Sequence, residues 1–281
     1  MSSILTLSVN TTYYVWQLFS YILLLLTVGC AETFRMTYSV YIPPSPIRLE
    51  NRLKLLGANE DKAQHHYAVL IAGNSEDRHR NNLSLAYQVL IEQGYNRRDI
   101  FIFDSEGGNP AVFPITDSTN EKSILIMFGW LKTHVTENDS LLIYMTGHGN
   151  KVGNIRKSAF ALNKVENLTK EMFIEILSTI NPRIGIVFTD FCYWGTIEDE
   201  ERLSEYIFIS ATDDDHVSYG TTFGRAFWNS FRTYDKTITL LESYMNAYVT
   251  DPMTFKKNAN RPNITWSKNR PEFFNILGEN M

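Results

Sequence analysis

Residues 141–150 read LLIYMTGHGN, an apolar run that ends in a histidine set between two glycines, and residues 184–195 read IGIVFTDFCYWG, a second apolar run that ends in a cysteine. Both runs are short, unalternating and rich in β-branched or aromatic residues, the pattern of a strand buried on both faces of a parallel sheet. An isolated Gly-His-Gly is only a turn. Two such strand ends in one chain, carrying His148 and Cys192, raise the question of whether they meet.

Three further runs have the same character: YAVLIAG (67–73), DIFIFD (99–104) and EYIFISA (205–211). Five strands result. Helical periodicity fills the intervals, at 82–91 with a stop at Gly94, at 119–134, and at 169–179 with Thr169 in capping position; further helices are expected at 222–233 and 236–249. Strand and helix alternating over about 150 residues imply right-handed crossovers and a doubly wound α/β sandwich. GGNP (107–110) reads as a surface loop.

The α/β region is assigned to 63–250, preceded by a linker or pro-region at 32–62 with YIPPSP and one helix near 47–56, and followed by a C-terminal extension at 251–281. Residues 1–31 contain no charged side chain, and LFSYILLLLTVG (18–29) is almost continuously apolar. This segment reads as membrane-directed. It fits a cleaved signal peptide or, because Thr27-Val28-Gly29-Cys30-Ala31 resembles a lipobox, a lipidated one; an uncleaved anchor fits as well, since a span needs about 20 residues. Export or membrane association is the expectation.

With 26 basic and 31 acidic residues in 281, a net charge of −5 and no Lys/Arg run, the chain carries no electrostatic footprint for nucleic acid. Cys30 and Cys192 are the only cysteines, so the mature domain has no disulfide framework and Cys192 is a lone thiol. Asp213-Asp214-Asp215 reads as a solvated loop, because three consecutive carboxylates diverge and no calcium-loop glycine follows. No metal and no cofactor is expected.

In an open parallel sheet the loops at the carboxyl ends of the strands form the ligand crevice. If the strands ending at Gly147 and Asp190 are neighbours, His148 and Cys192 emerge at one edge, where a neutral imidazole takes the thiol proton or holds the thiolate as an ion pair. Gly149 lets the backbone approach a substrate carbonyl, and its N–H with that of Cys192 forms an oxyanion hole.

At these residues the chain resembles the caspase/legumain/metacaspase group of cysteine peptidases, and the legumain-like branch most closely. Tyr144-Met145-Thr146-Gly147-His148-Gly149 is similar to the histidine motif of that branch, as it occurs in the catalytic subunit of the GPI transamidase. Asp190-Phe191-Cys192-Tyr193-Trp194-Gly195 is similar to the acidic-x-Cys-x-x-Gly motif of legumains and metacaspases. Ala72-Gly73 with Arg78-His79 and Ala86-Tyr87-Gln88, then Ser210-Ala211 with Ser218-Tyr219-Gly220, and Gly224-Arg225-Ala226-Phe227-Trp228, resemble the flanking pocket segments. The resemblance covers roughly residues 66 to 232 and leaves out both ends.

The resemblance implies a caspase-like three-layer sandwich with a mostly parallel central sheet flanked by helices. It also implies a Cys192/His148 dyad and a substrate pocket drawn from Arg78, His79, Asp190, Ser210 and Ser218. Arg225 stands where the family has an aspartate, and its direction decides between Asp and Asn before the cleaved bond. The expected activity is that of a cysteine endopeptidase acting on peptide or protein substrates after Asn or Asp. A transamidase or peptide ligase using the same dyad, or a catalytically silent membrane-tethered interaction domain, are the alternatives that the motifs leave open.

Overall fold

A computed structural model describes residues 64–73, 76–105, 113–153, 157–195, 203–218, 222–232 and 239–254, the backbone of Glu272–Asn275, and the single positions Leu49, Leu53 and Ile197. All belong to one compact unit, Pro43–Met281. Residues 1–31, expected to be membrane-directed, most of the expected linker and the GGNP stretch lie outside the described residues. Of the helix expected near 47–56, Leu49 and Leu53 are helical and buried.

Among the described residues ten strands form two sheets. In chain order they are β1 (His66–Ala72), β2 (Ile100–Asp104), β3 (Asp117–Ser118), β4 (Ser140–Thr146), β5 (Gly149–Val152), β6 (Lys157–Ala161), β7 (Asn167–Thr169), β8 (Ile184–Asp190), β9 (Tyr206–Ser210) and β10 (Glu272–Asn275). The large sheet has the order β10-β9-β8-β4-β1-β2-β3. From β9 to β3 every pairing is parallel, and β10 alone runs antiparallel, along β9. The small sheet β5-β6-β7 is antiparallel.

Five described helices cover the large sheet: α1 (Asp77–Glu92), α2 (Glu121–His134), α3 (Lys170–Leu177), α4 (Thr222–Phe231) and α5 (Leu240–Thr250). The period-2 alternation of a strand sends Val69, Ile71, Ile143, Met145 and Val187 to one face, where they pack with Met127, Phe128, Leu131, Phe173 and Leu177 of α2 and α3. Ala68, Leu70, Leu142, Tyr144 and Phe188 face the other way, against Leu83, Val89, Phe223, Trp228 and Ala247 of α1, α4 and α5. Each large side chain so buried contributes about 1.5–3 kcal/mol. The result is an α/β three-layer sandwich with a mostly parallel central sheet.

Local signals place most of the helices. Asn120 and Ser123 form a capping box at α2, Thr239 and Glu242 another at α5, and the Thr169 hydroxyl accepts from Met172 N–H at α3. Helix α1 starts at Asp77, ahead of the boundary read from periodicity at Asn82, because two residues of its first turns, His79 and Asn82, are buried although polar. The C-terminal extension is more than a tail, since β10 completes the sheet edge. Strand order reverses between β1, which continues to β2 and β3, and β4, which continues to β8 and β9. In open α/β sheets such a reversal, here at the carboxyl ends of β1, β4 and β8, is where ligands bind.

Candidate active site

Thr146 and Asp190 are register partners at the ends of the neighbouring strands β4 and β8. His148 and Cys192 therefore leave the sheet at the same level. Gly149 opens β5 directly against the cysteine loop, and a Cβ there would overlap the Cys192 carbonyl and the Phe191 ring. Only glycine fits. Tyr193 adopts a left-handed backbone at φ 59, a conformation that costs a non-glycine residue roughly 1–3 kcal/mol and that here turns the chain sharply after the thiol.

The Cys192 thiol is half-buried. It accepts from Ser218 N–H at 3.2 Å and donates to the Ser218 carbonyl at 3.5 Å. Burial pushes its pKa up; the Ser218 and Gly149 amides and the Arg78 charge pull down, and the Asp190 carboxylate adds to the rise. The resting group is a neutral thiol. Among the described residues no hydrogen bond joins it to His148.

His148 is held from its other side. Its Nε2 lies 2.9 Å from Glu76 Oε1, and Glu76 Oε2 accepts from Arg78 Nε at 2.6 Å. Glu76 occupies the N-cap position of α1 without a side-chain capping bond, so its carboxylate is directed to these two partners. The hydrogen bond from His148, followed by Arg78, holds the Glu76 carboxyl below the usual range. The anion favours the tautomer with Nε2 protonated, leaving the Nδ1 lone pair of His148 available. Sequence reading passed over Glu76; the available signal was an acidic residue just ahead of Arg78-His79 at the end of β1.

Beneath this surface lies a buried polar chain. His79 is 0% exposed, its Nδ1 is 2.8 Å from Thr146 Oγ1, and its ring meets that of His148 edge-on at 5.9 Å. Burial, reinforced by the Arg78 and His148 charges, lowers its pKa to about 4. Asp190 Oδ2 accepts from Asn82 Nδ2 and from the Tyr144 hydroxyl, both at 3.0 Å. Gly224 of α4 closes over that carboxylate, where a Cβ would overlap it.

The residues expected around the pocket are thus placed unequally. Ser218 touches the thiol, and the exposed Arg78, bonded to Glu76, acts on it through its charge. His79, Asp190 and Ser210 are fully buried, and the Ser210 hydroxyl donates to the Thr212 carbonyl at 2.7 Å. Arg225 is exposed on α4, and among the described residues no hydrogen bond or ion pair ties it to the others. The acidic triplet is less free than its sequence implied. Asp213 pairs with His216, and Lys170 Nζ meets Asp214 Oδ1 at 2.9 Å while donating to the Trp194 carbonyl at 2.7 Å. Lys170 thereby fastens the cysteine loop to the 212–216 loop. Compared with known protein families and with curated proteins, the chain matches none.

Proposed function

We propose that the chain is a cysteine endopeptidase of legumain-like type, with Cys192 as nucleophile, His148 as general base and Glu76 as the group that orients the base. The observation that carries this reading is the convergence of these three residues at the ends of β8, β4 and β1 around the strand-order reversal. His148 Nδ1 takes the thiol proton, and the thiolate attacks the peptide carbonyl. The backbone N–H groups of Gly149 and Cys192 receive the developing oxyanion. His148 then protonates the leaving amine. Water, activated by the same imidazole, releases the acyl group from sulfur. Glu76 stabilises the imidazolium that exists between these transfers.

An electrophilic peptide probe tests nucleophile and base together. The intact protein should be labelled, Cys192→Ala should not, and His148→Ala should be labelled at a rate lower by about 10²-fold or more, the usual contribution of a general base. Labelling that survives Cys192→Ala removes the assignment.

A further inference from the structure

The carboxylate of Glu76 and the imidazoles of His79 and His148 place one ligand atom each within 4.8 Å of one another. Two of the three are already in contact at 2.9 Å. The third contributes the unusual feature: His79 Nε2 is buried and has no hydrogen-bond partner. A buried polar atom left unpaired costs about 1–3 kcal/mol, so its presence in the first turn of α1 calls for a ligand.

The tautomer of His79 follows from its surroundings. The Tyr144 hydroxyl donates to Asp190 and lies against the Thr146 hydroxyl. Thr146 is therefore turned toward Tyr144, and its oxygen takes the Nδ1–H of His79. Nε2 carries the lone pair, aimed at Glu76 and His148.

We propose that Glu76, His79 and His148 form a site for one Zn²⁺-class divalent cation, and that its occupation withdraws His148 from Cys192. Two imidazoles and one carboxylate suit zinc and its borderline neighbours, whereas Ca²⁺ and Mg²⁺ require oxygen ligands. Zn–N bonds of about 2.0–2.1 Å set tetrahedral ligand atoms roughly 3.3 Å apart. The approach needed falls on Glu76 and His148, whose side chains are each 47% exposed, while Thr146 keeps His79 fixed. Glu76 Oε1 turns to the metal, Oε2 remains with Arg78, and water fills the fourth position. The binding half stands on this geometry alone; the inhibitory half rests on the peptidase reading.

The test separates the two halves. Full-length Cys192→Ala that also carries Cys30→Ser, so that no thiol remains as an alternative ligand, is titrated with Zn²⁺ against a chromophoric chelator, with Mg²⁺ and Ca²⁺ as competitors. One equivalent should bind, unaffected by either competitor. Glu76→Gln and His79→Gln in the same background should each weaken binding by at least about tenfold, the lower limit even for outer residues of a metal site. Glu76 is exposed, so its variant tests the site even if His79→Gln misfolds. Absence of zinc binding, or binding indifferent to Glu76→Gln, overturns the site. With the unsubstituted protein, Zn²⁺ should abolish peptide turnover and a chelator should restore it. Turnover unchanged at a zinc concentration that saturates Cys192→Ala overturns the inhibitory half. A protein that binds zinc but never cleaves peptide refutes the peptidase reading and leaves the site standing.

Discussion

Glu76 Oε1 and His148 Nε2 stand 2.9 Å apart, joining the residue that precedes α1 to the residue that precedes β5. A hydrogen bond with a charged partner is worth about 1.5–3 kcal/mol. If it orients the base and stabilises the imidazolium, Glu76→Ala should lower kcat by roughly 10- to 100-fold, the same energy expressed as a rate, with little change in KM. Glu76→Gln should lie between, since the amide oxygen still accepts but carries no charge. A KM effect without a kcat effect would make Glu76 a substrate contact instead.

The thiol provides a second prediction. Burial raises the Cys192 pKa, and no hydrogen bond to His148 offsets it. Iodoacetamide, which needs a preformed thiolate, should therefore alkylate Cys192 at pH 7 more slowly than it alkylates a free cysteine, with the rate still climbing beyond the ordinary thiol range of about 8.5. If the Gly149 and Cys192 amides receive an oxyanion as proposed, a peptide electrophile that brings its carbonyl against them should escape this handicap. Fast iodoacetamide labelling at pH 6 would mean a resting thiolate–imidazolium pair.

The five long strands were legible because each is a near-unbroken run of β-branched and aromatic residues, and the His148 and Cys192 loops were legible because abrupt Gly-His-Gly and Asp-x-Cys-x-x-Gly endings follow two of those runs. What escaped has a common physical reason. Glu76, Asn82 and Lys170 act through partners far away in sequence: His148, Asp190 and Asp214. Nothing in the spacing of a polar stretch such as DRHRNN tells a buried histidine from a solvated one. β10 was missed because four residues within a polar tail gain their structure only by pairing with β9.

His79 makes stability depend on pH. Its pKa falls from 6.5 in the unfolded chain to about 4 in the fold, so between these values the unfolded state binds more protons. Stability is full above about pH 6.5, declines as the pH falls, and levels off near pH 4, with a total loss on the order of 3 kcal/mol. Urea denaturation of Cys192→Ala at several pH values measures this slope. His79→Gln should flatten it, and an unchanged slope in that variant would place the titration elsewhere.

Lys170 is 16% exposed at its side chain and joins Asp214 to the Trp194 carbonyl. Lys170→Met keeps the apolar stem and removes the charge. It should cost about 1–3 kcal/mol, the penalty for leaving the buried Trp194 carbonyl unpaired while the half-exposed Asp214 turns to water, and, on the peptidase reading, should lower turnover because the loop that carries Cys192 loses its fastening. A thermal melt together with kcat would show both effects. Full activity with lowered stability would confine Lys170 to the fold.

On the peptidase reading proposed above, the residue accepted before the cleaved bond follows from the charges around Arg78. Arg225 is exposed on α4 and, among the described residues, no hydrogen bond or ion pair ties it to the other groups expected at the pocket. The Arg78 guanidinium is already shared with Glu76 at 2.6 Å, and Asp190 stands behind as a buried carboxyl group whose Oδ2 accepts from Asn82 and Tyr144. An anionic aspartate entering this pocket meets one partly neutralised arginine with acidic groups on two sides. A neutral asparagine offers its oxygen to Arg78 without that repulsion. Cleavage after Asn should therefore exceed cleavage after Asp at pH 7. The gap should narrow toward pH 5, as a substrate carboxyl with an ordinary pKa of about 3.9 begins to take up a proton. Lys and Arg should be poor, because a cation meets Arg78 at close range. Paired peptides differing only at this position, assayed at both pH values, measure the ratio, and Arg225→Ala should leave it unchanged. A preference for Asp at pH 7 that disappears in Arg225→Ala would show that Arg225 swings inward when substrate binds.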